Sequence, residues 1–154
     1  NSAVNTIRIV TLICADDSIR IMAAVLRLSR KGKFADNFHH DGIAALIDIE
    51  TGLVNTVGVD RKWNRYTVHP DSRKSIVGFQ IPKWSEILAT VKNAAWVHPE
   101  VRYVGWDVTI KGNGEIVLIE GNSGADPDVT QVEDQIGKWP LYEPLLKDIE
   151  KMKF

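Results

Sequence analysis

Cysteine and net charge are both scarce in this sequence. The 154 residues carry a formal net charge of −1, which gives no electrostatic indication of a nucleic-acid or anionic-membrane partner. The single cysteine, Cys14, has no partner for an internal disulfide. It lies in the apolar run 9–15, where an inert buried thiol is expected. We therefore expect a protein of the reducing cytoplasm that binds no nucleic acid.

Long apolar runs are also missing. No stretch approaches the roughly 20 residues that a membrane-spanning helix needs, and no secretory signal pattern opens the chain. The composition, 44% hydrophobic and 25% charged, is typical of a globular domain with its own core. The chain opens with Asn1 rather than methionine, and we interpret it as a processed chain or a piece of a longer protein.

Apolar runs bounded by turn residues predict several strands. The run 20–29 contains Ala23 and Ala24 and suits either a strand or a helix. Gly52 lies in a turn between two apolar arms, which indicates an antiparallel hairpin. The polar segments 32–41 and 61–75 are expected to be irregular. The segments interpreted as strands are 8–15, 20–29, 43–49, 53–60, 101–110 and 115–121.

Two segments have the periodicity of amphipathic helices. The first is expected to open at Ile81-Pro82, because proline suits the first helical turn, and to end at His98-Pro99. The second covers 139–154. With the strands, these helices predict one α+β domain, 1–154, in which antiparallel pairing dominates and helices flank the sheet.

The last predicted hairpin, 101–121, carries polar residues that can perform chemistry. With a turn centred on Gly112-Asn113, Asp107 faces Leu118 and Glu120 faces Gly105. Asp107 and Glu120 are then diagonal neighbours on one face of the hairpin, and Asn122 continues on the side of Glu120. The opposite face is expected to be a core face, formed by Val104, Trp106, Val108, Val117 and Ile119.

Two neighbouring carboxylates repel each other unless a cation lies between them. The oxygens of Asp107, Glu120 and Asn122 are hard ligands of the kind that suits Mg²⁺ bridged to nucleotide phosphates. The spacing therefore predicts a divalent-metal site. A solvated strand face with scattered charges is the alternative that spacing alone leaves open.

At these residues the sequence resembles the sugar-transfer-associated group of the ATP-grasp superfamily. The resemblance covers roughly residues 4–135, and four segments carry it in the order of that group's pattern. They are Asn5-Thr6-Ile7-Arg8, Asp36-Asn37-Phe38-His39-His40-Asp41-Gly42, Gly78-Phe79-Gln80-Ile81-Pro82, and Gly105-Trp106-Asp107 with Glu120-Gly121-Asn122.

The resemblance implies a role for each matched position. Asp107, Glu120 and Asn122 would hold Mg²⁺ (or Mn²⁺) against the phosphates of ATP. Arg8 would bind a phosphate or the acceptor carboxylate, which a guanidinium fork matches; without the family, a surface ion pair is the preferred interpretation. Asn37 and His39 would lie in a loop over the reacting groups, and an ordinary turn residue and an exposed histidine are their alternatives.

Some positions depart from the family pattern. Asp41-Gly42 replaces a common Gly-Gly pair, and Ser123-Gly124 follows Asn122 where many members have Pro-Gly. No lysine-bearing strand precedes Arg8, and no phosphate-cradling glycine-rich loop is present in the sequence. We therefore expect the C-terminal part of a larger protein, inactive alone, whose N-terminal subdomains supply these elements.

The function implied by the resemblance is an ADP-forming ligase. ATP would phosphorylate a small carboxylate or sugar-linked substrate to an acylphosphate, which an amine or similar nucleophile would attack, and the resemblance implies a place in polysaccharide or surface-sugar biosynthesis. A non-catalytic binding or structural module that keeps the fold is the second hypothesis. A glycosidase using Asp107 and Glu120 is the third, disfavoured because Trp84 and Trp106 lie on predicted core faces rather than on a sugar platform.

Overall fold

The computed structural model describes residues 5–30, 42–131 and 133–152. Asn37 and His39, with the segment 32–41, lie outside the described residues. The elements are β1 Thr6–Ile13, β2 Ile19–Leu28, β3 Ile43–Leu46, β4 Gly58–Val59, β5 Arg65–Tyr66, α1 Trp84–Ala95, β6 Tyr103–Ile110, β7 Ile116–Asn122, the short 3-10 helix η1 Asp128–Thr130, and α2 Trp139–Glu150.

The strands form one sheet in the order β5-β4-β3-β2-β1-β6-β7, and every neighbouring pair is antiparallel. The predicted α+β architecture is confirmed. The run 20–29 is a strand, because its residues complete a long ladder with β1 that buries nearly all of them. None of the helices in the described ranges is long and apolar enough to cross a membrane.

The hairpin around Gly52 is shorter than the sequence predicts. Only Ala44 pairs with Val59 between β3 and β4, and Ile47 forms an isolated bridge to Val54. Between them, the Leu46 backbone N–H donates to the Oγ1 atom of Thr56 at 2.9 Å. A side-chain hydroxyl thus takes the place of a ladder carbonyl, and the pairing between the two arms is interrupted.

Helix α1 begins two residues later than predicted, at Trp84. The preceding Lys83 has a left-handed backbone (φ 53°, ψ 35°), so Pro82 lies outside the helix. The helix also ends at Ala95, before His98-Pro99. Its buried side chains are Trp84, Ile87, Val91 and Ala95, and three of these join the main hydrophobic core on one face of the sheet.

Side-chain alternation along β1 divides the sheet into two faces. Ile7 and Ile9 point toward α1 and the main core. Val10 and Leu12 belong to a second cluster, against which side chains of α2 pack: Tyr142, Leu145 and Ile149. The other end of that second face carries Arg8 and Arg27.

The turn at Gly52 is held against the first residue of α1. Gly52 has a φ of +74°, and a Cβ atom there would lie 2.4 Å from Cγ of Trp84. Gly78 has a similar φ of +81°, but nothing lies within 4 Å of its Cβ position. A side chain at Gly78 would therefore introduce backbone strain alone, whereas a side chain at Gly52 would add a steric overlap with Trp84.

We expect Gly78→Ala to lower the free energy of unfolding by about 1–2 kcal/mol, the cost of a left-handed L-residue. Gly52→Ala should lose roughly a further 1–3 kcal/mol, because Trp84 must shift. Urea unfolding measures both variants. Equal losses would show that Trp84 accommodates the methyl group without strain.

A second carboxyl group is buried away from the hairpin. Glu133 is 3% exposed, and neither of its carboxyl oxygens has a hydrogen-bond partner among the described residues. It follows η1, whose Val129 packs against Val25 and Ala44. Burial raises the pKa of Glu133 to about 8, so the folded protein holds this carboxyl protonated at neutral pH.

This shift predicts a loss of stability as pH rises. Below the ordinary pKa of 4.5, Glu133 is protonated whether the chain is folded or not. Between pH 4.5 and about 8 only the unfolded chain ionises, which costs about 3 kcal/mol at pH 7. Glu133→Gln should flatten this part of the pH–stability curve in urea unfolding, and Glu50→Gln, at an exposed turn, should leave the curve unchanged.

Candidate functional site

A bulge in β7 sets the register of the last hairpin. Ile110 pairs with Ile116 and Val108 with Leu118, but Asp107 pairs with Glu120, so Ile119 is an extra residue in β7. The predicted register was therefore wrong: Asp107 faces Glu120 directly rather than Leu118. Asn122 pairs with Gly105 on the same face. The predicted grouping of Asp107, Glu120 and Asn122 on one face survives because of the bulge.

The pairing on the turn side of the bulge also differs from the predicted register, and this changes the core face of the hairpin. Val104, Trp106 and Val108 occupy the face opposite Asp107, as predicted, and Trp106 and Val108 pack in the main core. From β7, however, Ile116 and Leu118 join that core, instead of the predicted Val117 and Ile119. Ile119, the extra residue, is 51% exposed, because its side chain points away from the core.

Gly121, between the two predicted ligands of β7, lies directly under Trp106. A Cβ atom at Gly121 would lie 2.6 Å from Cζ3 of Trp106. The indole Nε1 of Trp106 donates to Oγ1 of Thr11 at 2.8 Å, which fixes the ring against β1. The Glu-Gly-Asn sequence thus has a glycine where the tryptophan of the neighbouring strand needs space.

Asp107 lies at the centre of a buried ion cluster with two arginines. Arg8 pairs with Asp107 across β1 and β6 and binds both carboxylate oxygens, Nε to Oδ1 at 2.5 Å and Nη2 to Oδ2 at 3.0 Å. Arg27, on the next strand, donates from Nη1 to both oxygens at 3.1 Å. Asp107 is 6% and Arg27 8% exposed, so the charges interact largely out of water.

The two guanidinium groups keep Asp107 ionised. Burial favours the neutral carboxyl and would raise the pKa of Asp107. The hydrogen bonds from Arg8 and the positive charge of Arg27 outweigh burial, and the pKa lies below its ordinary value of 3.8. Asp107 is thus a carboxylate at neutral pH.

Glu120 and Asn122 offer oxygen atoms that are open to solvent. Both residues are exposed, and Oδ1 of Asn122 accepts the Gly124 backbone N–H at 2.8 Å, which leaves a second lone pair. Within the described ranges, no group of three or more His, Cys, Asp or Glu residues could hold a metal. The donor set here is instead two carboxylates and one amide, of the hard-oxygen type that fits Mg²⁺.

The structure brings together Arg8, Asp107, Glu120 and Asn122, all of them predicted site residues. The surface ion pair considered for Arg8 is wrong, because its partner Asp107 is buried. Sequence reasoning missed Arg27. Its signal was an arginine inside an apolar strand, two positions beyond Val25, on the side that Arg8 faces.

The family comparison matches almost the whole chain. A model of the sugar-transfer-associated ATP-grasp family matches residues 1–150. Among curated proteins, no sequence is similar enough to count as a match.

Two solved structures of the ATP-grasp ligase PsnB have a similar fold. One, complexed with a phosphomimetic variant of minimal precursor, Mg and ADP, has a TM-score of 0.51 and 13% sequence identity over 96% of this chain and 34% of that chain. The other, complexed with minimal precursor, has a TM-score of 0.50 and 13% identity over 96% and 36%. At this identity the likeness concerns the fold, and the chain spans about a third of the length of these ligases.

Removing the charge of Asp107 should destabilise the protein strongly. Asp107→Asn removes the buried negative charge that both guanidinium groups bind, and we expect a loss of about 3–5 kcal/mol in urea unfolding at neutral pH. Glu120→Gln, at an exposed position of the same hairpin, should change stability by about 0.5 kcal/mol or less. An Asp107→Asn variant as stable as the wild type would contradict the buried ion cluster.

The comparison of wild type with Asp107→Asn also gives a dependence of stability on acid pH, with a defined sign. The pKa of Asp107 is lower in the folded protein, so its contribution is complete above the ordinary value of 3.8 and is lost as pH falls through the folded pKa. The stability difference between wild type and Asp107→Asn should therefore shrink below pH 3.8. A difference that stays constant through this range would argue against an ionised Asp107.

Proposed function

The chain belongs to the sugar-transfer-associated ATP-grasp family, and from that premise we propose that it is the Mg²⁺–ATP-binding part of an ADP-forming ligase. The observation that carries the proposal is the placement of Asp107, Glu120 and Asn122 on one face by the bulge at Ile119. Their oxygens form a donor set suited to Mg²⁺ or Mn²⁺. The Mg and ADP found with PsnB support the same choice of cofactors.

Each predicted residue that the structure brings together has a proposed role in the ligase. Glu120 and Asn122 offer solvent-facing oxygens to the metal, and Asp107 completes the set when one of its arginine contacts opens. The bound ion would neutralise negative charge on the phosphate oxygens. Arg8 supplies a fixed positive charge beside it, suited to a phosphate or an acceptor carboxylate.

The proposed reaction needs no nucleophilic side chain. An oxygen of the substrate carboxylate attacks the γ-phosphorus of ATP, the bond to the β-phosphate oxygen breaks, and ADP leaves. An amine or similar nucleophile then displaces inorganic phosphate from the acylphosphate. The protein contributes position and charge compensation. We propose that the carboxylate belongs to a small or sugar-linked substrate; the family description, sugar-transfer associated ATP-grasp, supports a link to sugar chemistry.

The rest of the catalytic machinery is proposed to lie elsewhere. Since the chain spans about a third of PsnB, we assign the phosphate-binding lysine, the glycine-rich loop and the adenine pocket to N-terminal subdomains of the same protein. Asn37 and His39 are assigned to the loop over the reacting groups. The free, buried Cys14 suits the reducing cytoplasm, where we place the protein.

One observation favours the alternative of a non-catalytic module that keeps the fold. Both oxygens of Asp107 are already bound by arginines, so the ion cluster could serve stability alone. Metal binding distinguishes the two functions, because a purely structural cluster gives Glu120 no role.

The metal site can be tested by titrating Mn²⁺ into the protein and counting free Mn²⁺ by electron paramagnetic resonance. Trp106 fluorescence is a second readout, since its ring lies against Gly121 between two proposed ligands. We expect saturable binding that Glu120→Gln weakens about tenfold or more, as the loss of one charged ligand should.

Matched variants separate this site from other carboxylates. Glu115→Gln, on the same hairpin and paired with Lys111, should leave Mn²⁺ binding unchanged, and Trp106→Phe should remove the fluorescence response without removing binding. No saturable binding, or equal binding by the wild type and Glu120→Gln, would overturn the proposed metal site in favour of the structural module.

A further inference from the structure

The arginine contacts use the full hydrogen-bonding capacity of Asp107. An ionised carboxylate has about four lone-pair sites. Arg8 fills two of them through Nε and Nη2, and Arg27 fills two through Nη1. A metal ion that binds Asp107 therefore needs an oxygen that an arginine now occupies.

We propose that Arg27 competes with the divalent metal for the carboxylate of Asp107, so that the metal enters by displacing Arg27 while Arg8 keeps its hold. The inference rests on the proposed function, because it takes Asp107 as one of the metal ligands. It gives Arg27 a role in positioning and gating that site.

The geometry distinguishes the two arginines. Arg8 uses two nitrogens on two oxygens, a fork that fixes both the distance and the plane of the carboxylate. Its backbone pairs directly with Asp107 across β1 and β6. Gly105 gives its side chain room, because a Cβ atom there would lie 3.2 Å from Cδ of Arg8. Arg8 is thus held in place from several sides.

Arg27 binds Asp107 through a single nitrogen. Its Nη1 atom is 3.1 Å from each oxygen, a shared contact longer than either bond from Arg8. Arg27 reaches Asp107 from β2, across the intervening strand β1. Of the two contacts, this one costs less to open, and opening it clears one side of both oxygens for a metal.

Burial then couples metal binding to an anion. Arg27 is 8% exposed, and displacing it from Asp107 removes a close negative charge from a buried guanidinium, which is costly even where other contacts remain. An oxyanion brought in beside the metal would restore a close negative charge. The metal alone should therefore bind weakly, and an oxyanion should strengthen its binding by the reciprocity of linked equilibria.

The test compares Mn²⁺ binding by wild type, Arg27→Met and Arg8→Met, measured by electron paramagnetic resonance without nucleotide. Arg27→Met should bind Mn²⁺ about tenfold more tightly than wild type, because a competing charged hydrogen bond is removed. Arg8→Met should not tighten binding, because Arg8 stays on Asp107 in both states. Equal tightening by both variants would reveal simple charge repulsion and overturn the proposal.

Mn²⁺ binding is also measured at high salt and in the presence of sulfate. The gain in Arg27→Met should persist at about 0.5 M salt, where long-range charge effects are screened. Sulfate, a tetrahedral dianion, should tighten Mn²⁺ binding by wild type and have a smaller effect on Arg27→Met. A gain that disappears in salt, or an equal sulfate response, contradicts displacement of Arg27.

Failure of this inference can be told from failure of the metal site. If wild type binds Mn²⁺ through Glu120 but Arg27→Met binds no more tightly, only the competition is wrong. If neither protein binds Mn²⁺, the metal site itself is wrong. Thermal unfolding checks that each variant folds, and Arg27→Gln, which keeps an amide donor in the cluster, replaces Arg27→Met if that variant does not.

Discussion

The buried contact between Asp107 and the two arginines ties together three neighbouring strands of the sheet. Arg27 comes from β2, Arg8 from β1 and Asp107 from β6, and the three side chains meet on the face that α1 does not cover. An ionised group at this depth is tolerated only with close counter-charges. The positions of the exposed donors Glu120 and Asn122 therefore depend on a strand that this cluster holds in place.

Small residues let this arrangement form. Gly105 leaves room for Ala125, whose Cβ atom would lie 2.4 Å from a Cβ atom there, and for the Arg8 side chain; Gly121 leaves room for Trp106. The two glycines lie on opposite strands of one hairpin, each beside a proposed ligand. One face of the hairpin therefore carries charged side chains, and the other packs against the apolar core. The glycines let the backbone between the two faces approach large side chains on both sides.

Much of the fold could be predicted from the sequence, because the apolar runs and the turn at Gly112-Asn113 are local signals. The register of the last hairpin could not. Residues 116–119 are apolar without interruption, so alternation does not say which of them faces the core, and a bulge leaves the pattern unchanged. Spacing predicted that Asp107, Glu120 and Asn122 share a face, but it did so from a wrong register; in the structure the bulge places them there.

Arg27 and the start of α1 were missed for related reasons. A run that suits both strand and helix assigns no face to its arginine, so the link to Asp107 depends on a pairing that is distant in sequence. The left-handed Lys83 precedes Trp84, which packs against Gly52 and donates from its indole N–H to the Ile49 carbonyl. These are tertiary contacts, so they could not be predicted from the local preference of Pro82 for the first turn of a helix.

The bulge at Ile119 has a consequence for how the molecule meets other chains. β7 is the last strand of the sheet, and an edge strand with a regular row of free amides and carbonyls invites another strand to add to it. An extra residue interrupts that row and twists the strand locally. The irregularity that aligns Glu120 with Asp107 thus also makes this edge a poorer template for an added strand than a regular one.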